Sequence, residues 1–267
     1  MPDPTSVLLP LAAAAFAAGA LNAVAGGGTL LTFPALTRVV TEAVANVTST
    51  VALLPGSVAG AWGYRRELAA ARPLLVRLLP PSLAGSVVGS GLLLASPDRF
   101  GELVPWLILV TAVLFLVQKP VSAFVRRRAR AAGGADTDHP PPRVVAAVVA
   151  FQFLVAVYGG YFGAGIGILM LTALGFMGVA DIHRANAVKT VLAGAINVVS
   201  AAMFAVWGGV RWDLGGVMAV ASVAGGYLGA STARRLPPWV VRWTVVAIGF
   251  GLAGYYFWKR ADSPGLS

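Results

Sequence analysis

From Ser6 to Thr37 the chain carries no charged side chain. In the middle of that stretch stands Asn22-Ala-Val-Ala-Gly26-Gly27-Gly28-Thr29-Leu-Leu-Thr-Phe-Pro34, three consecutive glycines between two apolar runs. In a soluble protein such a run reads as a loop. Here 58% of the residues are hydrophobic and only 11% are charged, against about 25% charged in globular domains. A chain so poor in charge cannot cover a soluble surface, so the sequence predicts an all-α integral membrane protein. The glycines then mark a helix that is broken inside the bilayer. Irregular backbone at that depth survives only where it is buried in protein or lines a cavity.

A hydrocarbon core takes about 20 mostly apolar residues per helix. Val7–Ala25 meets this and ends at the glycines; Thr29–Val40 is about half a span at 1.5 Å per residue. Ala45–Tyr64, Leu74–Ala95 and Leu103–Phe124 are full spans, the last running into Arg126-Arg-Arg-Ala-Arg130. Residues 126–142 read as a basic, Pro- and Gly-rich linker. After it the pattern restarts, with Val144–Tyr158, a second glycine-rich break at Gly159–Gly167, the half-span Ile168–Val179, and full spans at Ala185–Trp207, Leu214–Thr232 and Val240–Trp258. The expected organisation is a first transmembrane repeat over 1–125, a cytoplasmic linker over 126–142, a second repeat over 143–260 and a tail over 261–267.

The restart is a repeat at a fixed offset of 140 positions. Gly19 meets Gly159, Gly27 meets Gly167, Leu31-Thr32 meets Leu171-Thr172, Asn46 meets Asn186, Thr50 meets Thr190, Gly85 meets Gly225 and Pro97 meets Pro237. Internal repeats are the sequence signature of many secondary transporters. If each half-span re-enters, each half has four crossings, the repeats are parallel and both termini lie inside. If it crosses, each half has five and the repeats are inverted. The cytoplasmic bias of Lys and Arg favours the first arrangement at Arg65-Arg66, Arg126–Arg130, Arg211 and Lys259-Arg260. Arg234-Arg235 does not fit it. The expectation is therefore eight crossings with two re-entrant half-helices.

The net charge of +10 is spread over these loops and does not indicate nucleic acid. No cysteine is present, which excludes disulfides and thiolate chemistry, and the two histidines, His139 and His183, support no metal centre. The N-terminal run lacks a basic start, which favours a first span over a cleaved signal peptide. Trp62, Tyr64, Trp106, Trp207, Trp212, Trp239, Trp243 and Trp258 fall near span ends, as an interfacial belt does. There is no nucleophile–base pair, phosphate loop or dinucleotide fingerprint, so the sequence predicts neither an enzyme nor a cofactor.

A broken helix presents unpaired N–H groups and the positive end of a helix dipole, which together bind anions without a charged side chain. Broken helices in corresponding positions of two halves point to the site of a transporter. The alternative for each glycine is close helix packing. The candidate substrate site comprises Asn22, Gly26, Gly27, Gly28 and Thr29 at the first break and Gly163, Gly165 and Gly167 at the second, with helix N-termini expected at Thr29 and Ile168. Asn46, Ser49 and Thr50 open the helix after the first half-span. Asn186, Lys189, Thr190 and Asn197 open its counterpart and share one face. Hydroxyls and amides can replace the hydration shell of an oxyanion, and Lys189 can supply countercharge or snorkel to the interface. No carboxylate lies in mid-span. Glu42, Asp181 and His183, all near span ends, are the proton-coupling candidates.

Thr29-Leu-Leu-Thr-Phe-Pro-Ala-Leu36 after the glycines, Ala43-Val-Ala-Asn46-Val-Thr-Ser49, Tyr161-Phe-Gly-Ala-Gly-Ile-Gly167 and Ile182-His-Arg-Ala-Asn186-Ala-Val-Lys189 resemble the TauE/SafE sulfite exporter family. The likeness covers nearly the whole chain outside the linker and tails. It implies a multi-pass transporter of the bacterial inner membrane whose substrate is a small sulfur-containing anion such as sulfite, thiosulfate or an organosulfonate. Leu171-Thr-Ala-Leu-Gly-Phe176 lacks a proline matching Pro34, a departure from symmetry between the half-spans. Expected partners are the anion and membrane lipid, the latter at Arg126–Arg130, with room for a homo-oligomer. The competing readings are a transporter of an unrelated small organic solute and a non-transporting membrane scaffold.

Overall fold

The computed structural model describes residues 4–24, 27–63, 68–131, 141–179, 181–232 and 238–262. Among the described residues the secondary structure is helical, without strands. The order is α1 (Pro4–Val24), α2 (Thr29–Leu36), α3 (Glu42–Gly63), α4 (Leu68–Ala95), α5 (Pro97–Ala131), α6 (Pro142–Tyr161), α7 (Ile166–Phe176), α8 (Ile182–Trp207), α9 (Trp212–Thr232) and α10 (Pro238–Asp262). Among the described residues, four segments are long and apolar enough to cross a membrane on length and composition: Ala71–Ala95, Pro97–Pro120, Pro142–Tyr161 and Arg184–Trp207. Shorter apolar helices run over Ser6–Asn22 and Ile166–Phe176. Prolines open α1, α5, α6 and α10, where the missing N–H would have no partner in any case.

The half-spans are shorter than the sequence suggested. α2 stops at Leu36 because the next amides fold back, Thr37 N–H onto Phe33 and Val39 and Val40 N–H onto Leu36. α7 begins two residues ahead of Ile168, because Gly165 takes a left-handed φ of 80° and sets the first turn at Ile166. Arg126–Arg130 do not open a loop. They continue α5 to Ala131, where cations complement the negative end of the helix dipole. Residues 132–140, Arg65-Arg66, Arg234-Arg235 and the tail 263–267 lie outside the described residues, as do Gly26 and the side chain of His183.

Helices of the two halves interlock. α1 packs along α9, and α4 along α6 and α8. Both seams need glycine: a methyl group at Gly225 would collide with the Phe16 carbonyl, and one at Gly89 with the Val157 carbonyl. Ser82, Ser86 and Ser90, four residues apart, turn one face of α4 toward its neighbours. Ser82 accepts from Gln152 Nε2 at 2.9 Å, Ser86 donates to the Ile196 carbonyl at 2.9 Å, and Ser90 reaches Ser200 at 2.9 Å and the Gly160 carbonyl at 3.2 Å. These contacts fix directions. Ser82 with residue 152 and Ser90 with residue 160 make α4 and α6 parallel; Ser86 with residue 196 and Ser90 with residue 200 make α4 and α8 parallel.

α3 and α8 cross in opposite directions. Asn197 Nδ2 meets Ser57 Oγ at 3.5 Å. Toward the other end, a Cβ at Gly208 would lie 2.9 Å from Val47, and Arg211 N–H reaches Thr48 Oγ1 at 3.2 Å. α9 runs with α3, since Gly215 faces Thr48 and Ser222 donates to the Ala52 carbonyl at 3.0 Å. Helices in corresponding positions, α3 with α8 and α4 with α9, therefore point opposite ways. The expectation of parallel halves gives way on this point. Its physical basis was the arginine count, which says nothing about the direction of one helix against another.

Candidate functional site

The first break closes on itself. Gly27 holds a φ of 92°, and a Cβ there would lie 2.6 Å from Phe115 Cζ of α5. Asn22 Oδ1 accepts the Gly28 N–H at 2.8 Å, capping α2 from the end of α1. Leu30, Leu31 and Thr32 donate back to Gly27 and Gly28. Thr29 N–H is left without an intramolecular partner among the described residues. Thr32 and Ser49, both buried, share a hydroxyl hydrogen bond of 2.5 Å that ties α2 to α3.

The second break is built differently. α6 ends with Phe162 and Gly163 N–H both on the Tyr158 carbonyl, at 2.9 and 3.2 Å. Gly163 and Gly165 take φ of 84° and 80°, the left-handed region open to glycine at little cost. The first backbone bond of α7 is Ile168 N–H to Gly165 at 3.1 Å. Among the described residues the Ile166 and Gly167 amides have no acceptor. They lie at the positive end of an 11-residue helix. Half-buried Lys189 runs its stem across this turn: a Cβ at Gly167 would lie 3.1 Å from Lys189 Cδ and 3.7 Å from Cε.

Helices distant in sequence complete the second break. From α3, Asn46 Nδ2 donates to the Tyr161 carbonyl at 3.0 Å. From α5, Thr111 Oγ1 lies 2.7 Å from the Tyr158 hydroxyl and 3.4 Å from the Ala164 carbonyl. Phe162 packs edge-on against Phe33 of α2, with centroids 5.8 Å apart, so the short helix of one half touches the break of the other. Sequence reasoning missed Thr111, Phe115 and Tyr158, and it quoted Tyr161 and Phe162 within the second break's motif without naming them as site residues. A lone threonine in the apolar run of α5 is the only local signal among them.

The remaining candidates separate. Thr50 Oγ1 donates to the Asn46 carbonyl at 2.9 Å, within its own helix. Asn186 and Thr190 are half-buried on α8 near Lys189, and Asn197 stands at the α3–α8 crossing. Glu42 sits in the first turn of α3, with Oε2 3.8 Å from where a Cβ on Gly101 would lie. Asp181 is exposed ahead of α8.

The family model for the sulfite exporter TauE/SafE matches residues 11–256. The chain belongs to the TauE/SafE family. It is 28% identical over 242 residues to a "probable membrane transporter protein" of Haemophilus influenzae, covering 88% of each chain. It is also 28% identical over 250 residues to "probable membrane transporter protein ORF9" of a Sinorhizobium species, covering 90% of this chain and 88% of that one. No solved structure matches it. As a TauE/SafE protein the chain is a multi-pass membrane transporter of a small substrate, not an enzyme.

Proposed function

We propose that the chain is a secondary transporter of a small sulfur-containing oxyanion or organosulfonate, held at the second break between two inverted repeats. The observation that carries this is the start of α7. Two amides without acceptors point out of a helix N-terminus, and a lysine stem lies across the same turn. Backbone donors, a dipole and one cation suit an oxyanion. Gly163, Gly165 and Gly167 shape the turn, and Lys189, with Asn186 and Thr190 on the same helix, faces the anion. Asn22, Gly27, Gly28, Thr29, Ser49 and Thr50 belong to the supporting first break, and Asn46 joins the two.

The test is thermal denaturation of the purified protein with sulfite, thiosulfate, sulfate, sulfoacetate and taurine. A ligand that binds only the folded state raises its apparent stability by mass action. At least one of the sulfur anions should raise the melting point in a saturable way. A response to a cation or sugar alone would contradict the reading.

The opposed directions of α3 and α8 support five crossings per half, with α2 and α7 and their flanks each passing through the membrane, over repeats 1–125 and 143–260. Arg65-Arg66, Arg126–Arg130 and Arg234-Arg235 then share one side. That removes the one misfit of the eight-crossing scheme and makes this side cytoplasmic by the positive-inside rule. The termini, Arg211 and Lys259-Arg260 lie opposite, across a bacterial inner membrane. Because the chain has no native cysteine, single-cysteine labelling needs no background removal. Thr41→Cys and Asp181→Cys should react from opposite faces of intact membranes. Labelling of both from one face would restore the parallel arrangement.

A further inference from the structure

Asn46 is fully buried, and its Nδ2 donates to the Tyr161 carbonyl. That bond fixes which way the amide faces, since a carbonyl needs the nitrogen. The other atom, Oδ1, is buried and has no hydrogen-bond partner. A buried acceptor without a donor costs free energy, so something that accepts its lone pair belongs there. The surroundings narrow the choice. Tyr161 is the last residue of α6, where the helix dipole is negative and the terminal carbonyls gather. The groups on either side are neutral oxygens: the Tyr161 carbonyl accepts the Asn46 amide, the Gly160 carbonyl one residue earlier accepts Ser90, and Thr50 Oγ1, one turn along α3, donates to the Asn46 backbone carbonyl.

A proton does not suit the site, because an amide oxygen is not basic enough to hold one near neutral pH. A divalent ion calls for carboxylates, and among the described residues no group of three or more His, Asp or Glu side chains is placed to hold a metal. A monovalent metal ion suits neutral oxygens at the C-terminal end of a broken helix, an arrangement by which transporters coordinate sodium. The geometry points to a sodium-class alkali cation bound at the foot of α6, with Asn46 Oδ1 as its side-chain ligand. Asn46 comes from the first half and the α6 terminus from the second, so the ion bridges the two. It also sits at the break from which α7 departs.

This site stands apart from the anion reading and is tested without a sulfur anion. The full-length protein in detergent is melted in sodium, potassium and choline chloride at matched ionic strength. Sodium should raise the midpoint over choline in a saturable way. Asn46→Ala should abolish that rise. Asn46→Ala and Asn46→Asp both lose the donor to Tyr161, so the salt comparison on the unaltered protein decides the proposal where a variant does not fold, and Asn46→Asp provides the second arm. It keeps a side-chain oxygen and adds charge, so the sodium concentration giving half the rise should fall at least tenfold. Equal midpoints in all three salts would overturn the proposal and assign the oxygen to a water. So would a sodium rise that survives Asn46→Ala, or one whose half-saturation Asn46→Asp leaves unchanged. None of these outcomes bears on the response to sulfite or thiosulfate.

Discussion

The two glycine breaks lie 140 residues apart and share Gly27 with Gly167 and Thr32 with Thr172, yet they differ at the positions of Asn22 and Ser49. Where the first has Asn22 capping Gly28, the second has Phe162, an aromatic that packs on Phe33 and caps nothing. Where the first pairs Thr32 with Ser49, the second has Thr172, bonded at 2.9 Å to Ile168 in its own helix, and Lys189 in the place of Ser49. The first break spends the Gly28 donor on Asn22 and leaves one amide, Thr29 N–H, without an intramolecular partner among the described residues. The other leaves two amides open and sets a cation beside them. On the reading proposed above, the first break is a support and the second is the site.

Substitutions at matching positions should separate these roles. Gly27→Ala should have the largest effect on stability, because it combines a left-handed φ, worth about 1–2 kcal/mol for an L residue, with displacement of the Phe115 ring. Binding per folded molecule should survive it, as the ratio of active fraction to melting point will show. Gly165→Ala carries the same backbone strain against a looser contact, 3.3 Å to Thr111 Cγ2. It should cost about 1–2 kcal/mol and weaken anion binding as well, read by titrating the ligand-induced melting shift. Asn22→Ala removes one cap and should lower stability by about 1 kcal/mol, with anion affinity unchanged. A loss of affinity there equal to that in Gly165→Ala would put both breaks in the site.

Much of this was legible in the residues. Charge-poor runs of span length gave the long helices, and glycines gave the two short ones, because both depend on local composition. The Ser82–Ser86–Ser90 face was not singled out, because its partners are distant in sequence: the Ser90–Ser200 bond spans 110 residues and the Asn46–Tyr161 bond 115. Direction was beyond reach for the same reason. Arginine counts bear on sidedness, whereas the crossing of α3 and α8 rests on Ser57 meeting Asn197 and Thr48 meeting Arg211. Asn46 and Asn186 looked equivalent in sequence, yet Asn46 is fully buried against the opposite half while Asn186 is half-buried.

The most direct measurement compares Lys189→Ala with Ser49→Ala, the same position in the two halves, for the melting shift produced by the best-binding sulfur anion. Ser49→Ala should lower the unliganded melting point through loss of the Thr32 hydrogen bond, about 1 kcal/mol, and keep the shift. Lys189→Ala should keep the fold and lose the shift, with affinity down at least tenfold, about 1.4 kcal/mol. A shift that survives Lys189→Ala and disappears in Ser49→Ala would place the anion at the first break and contradict the account.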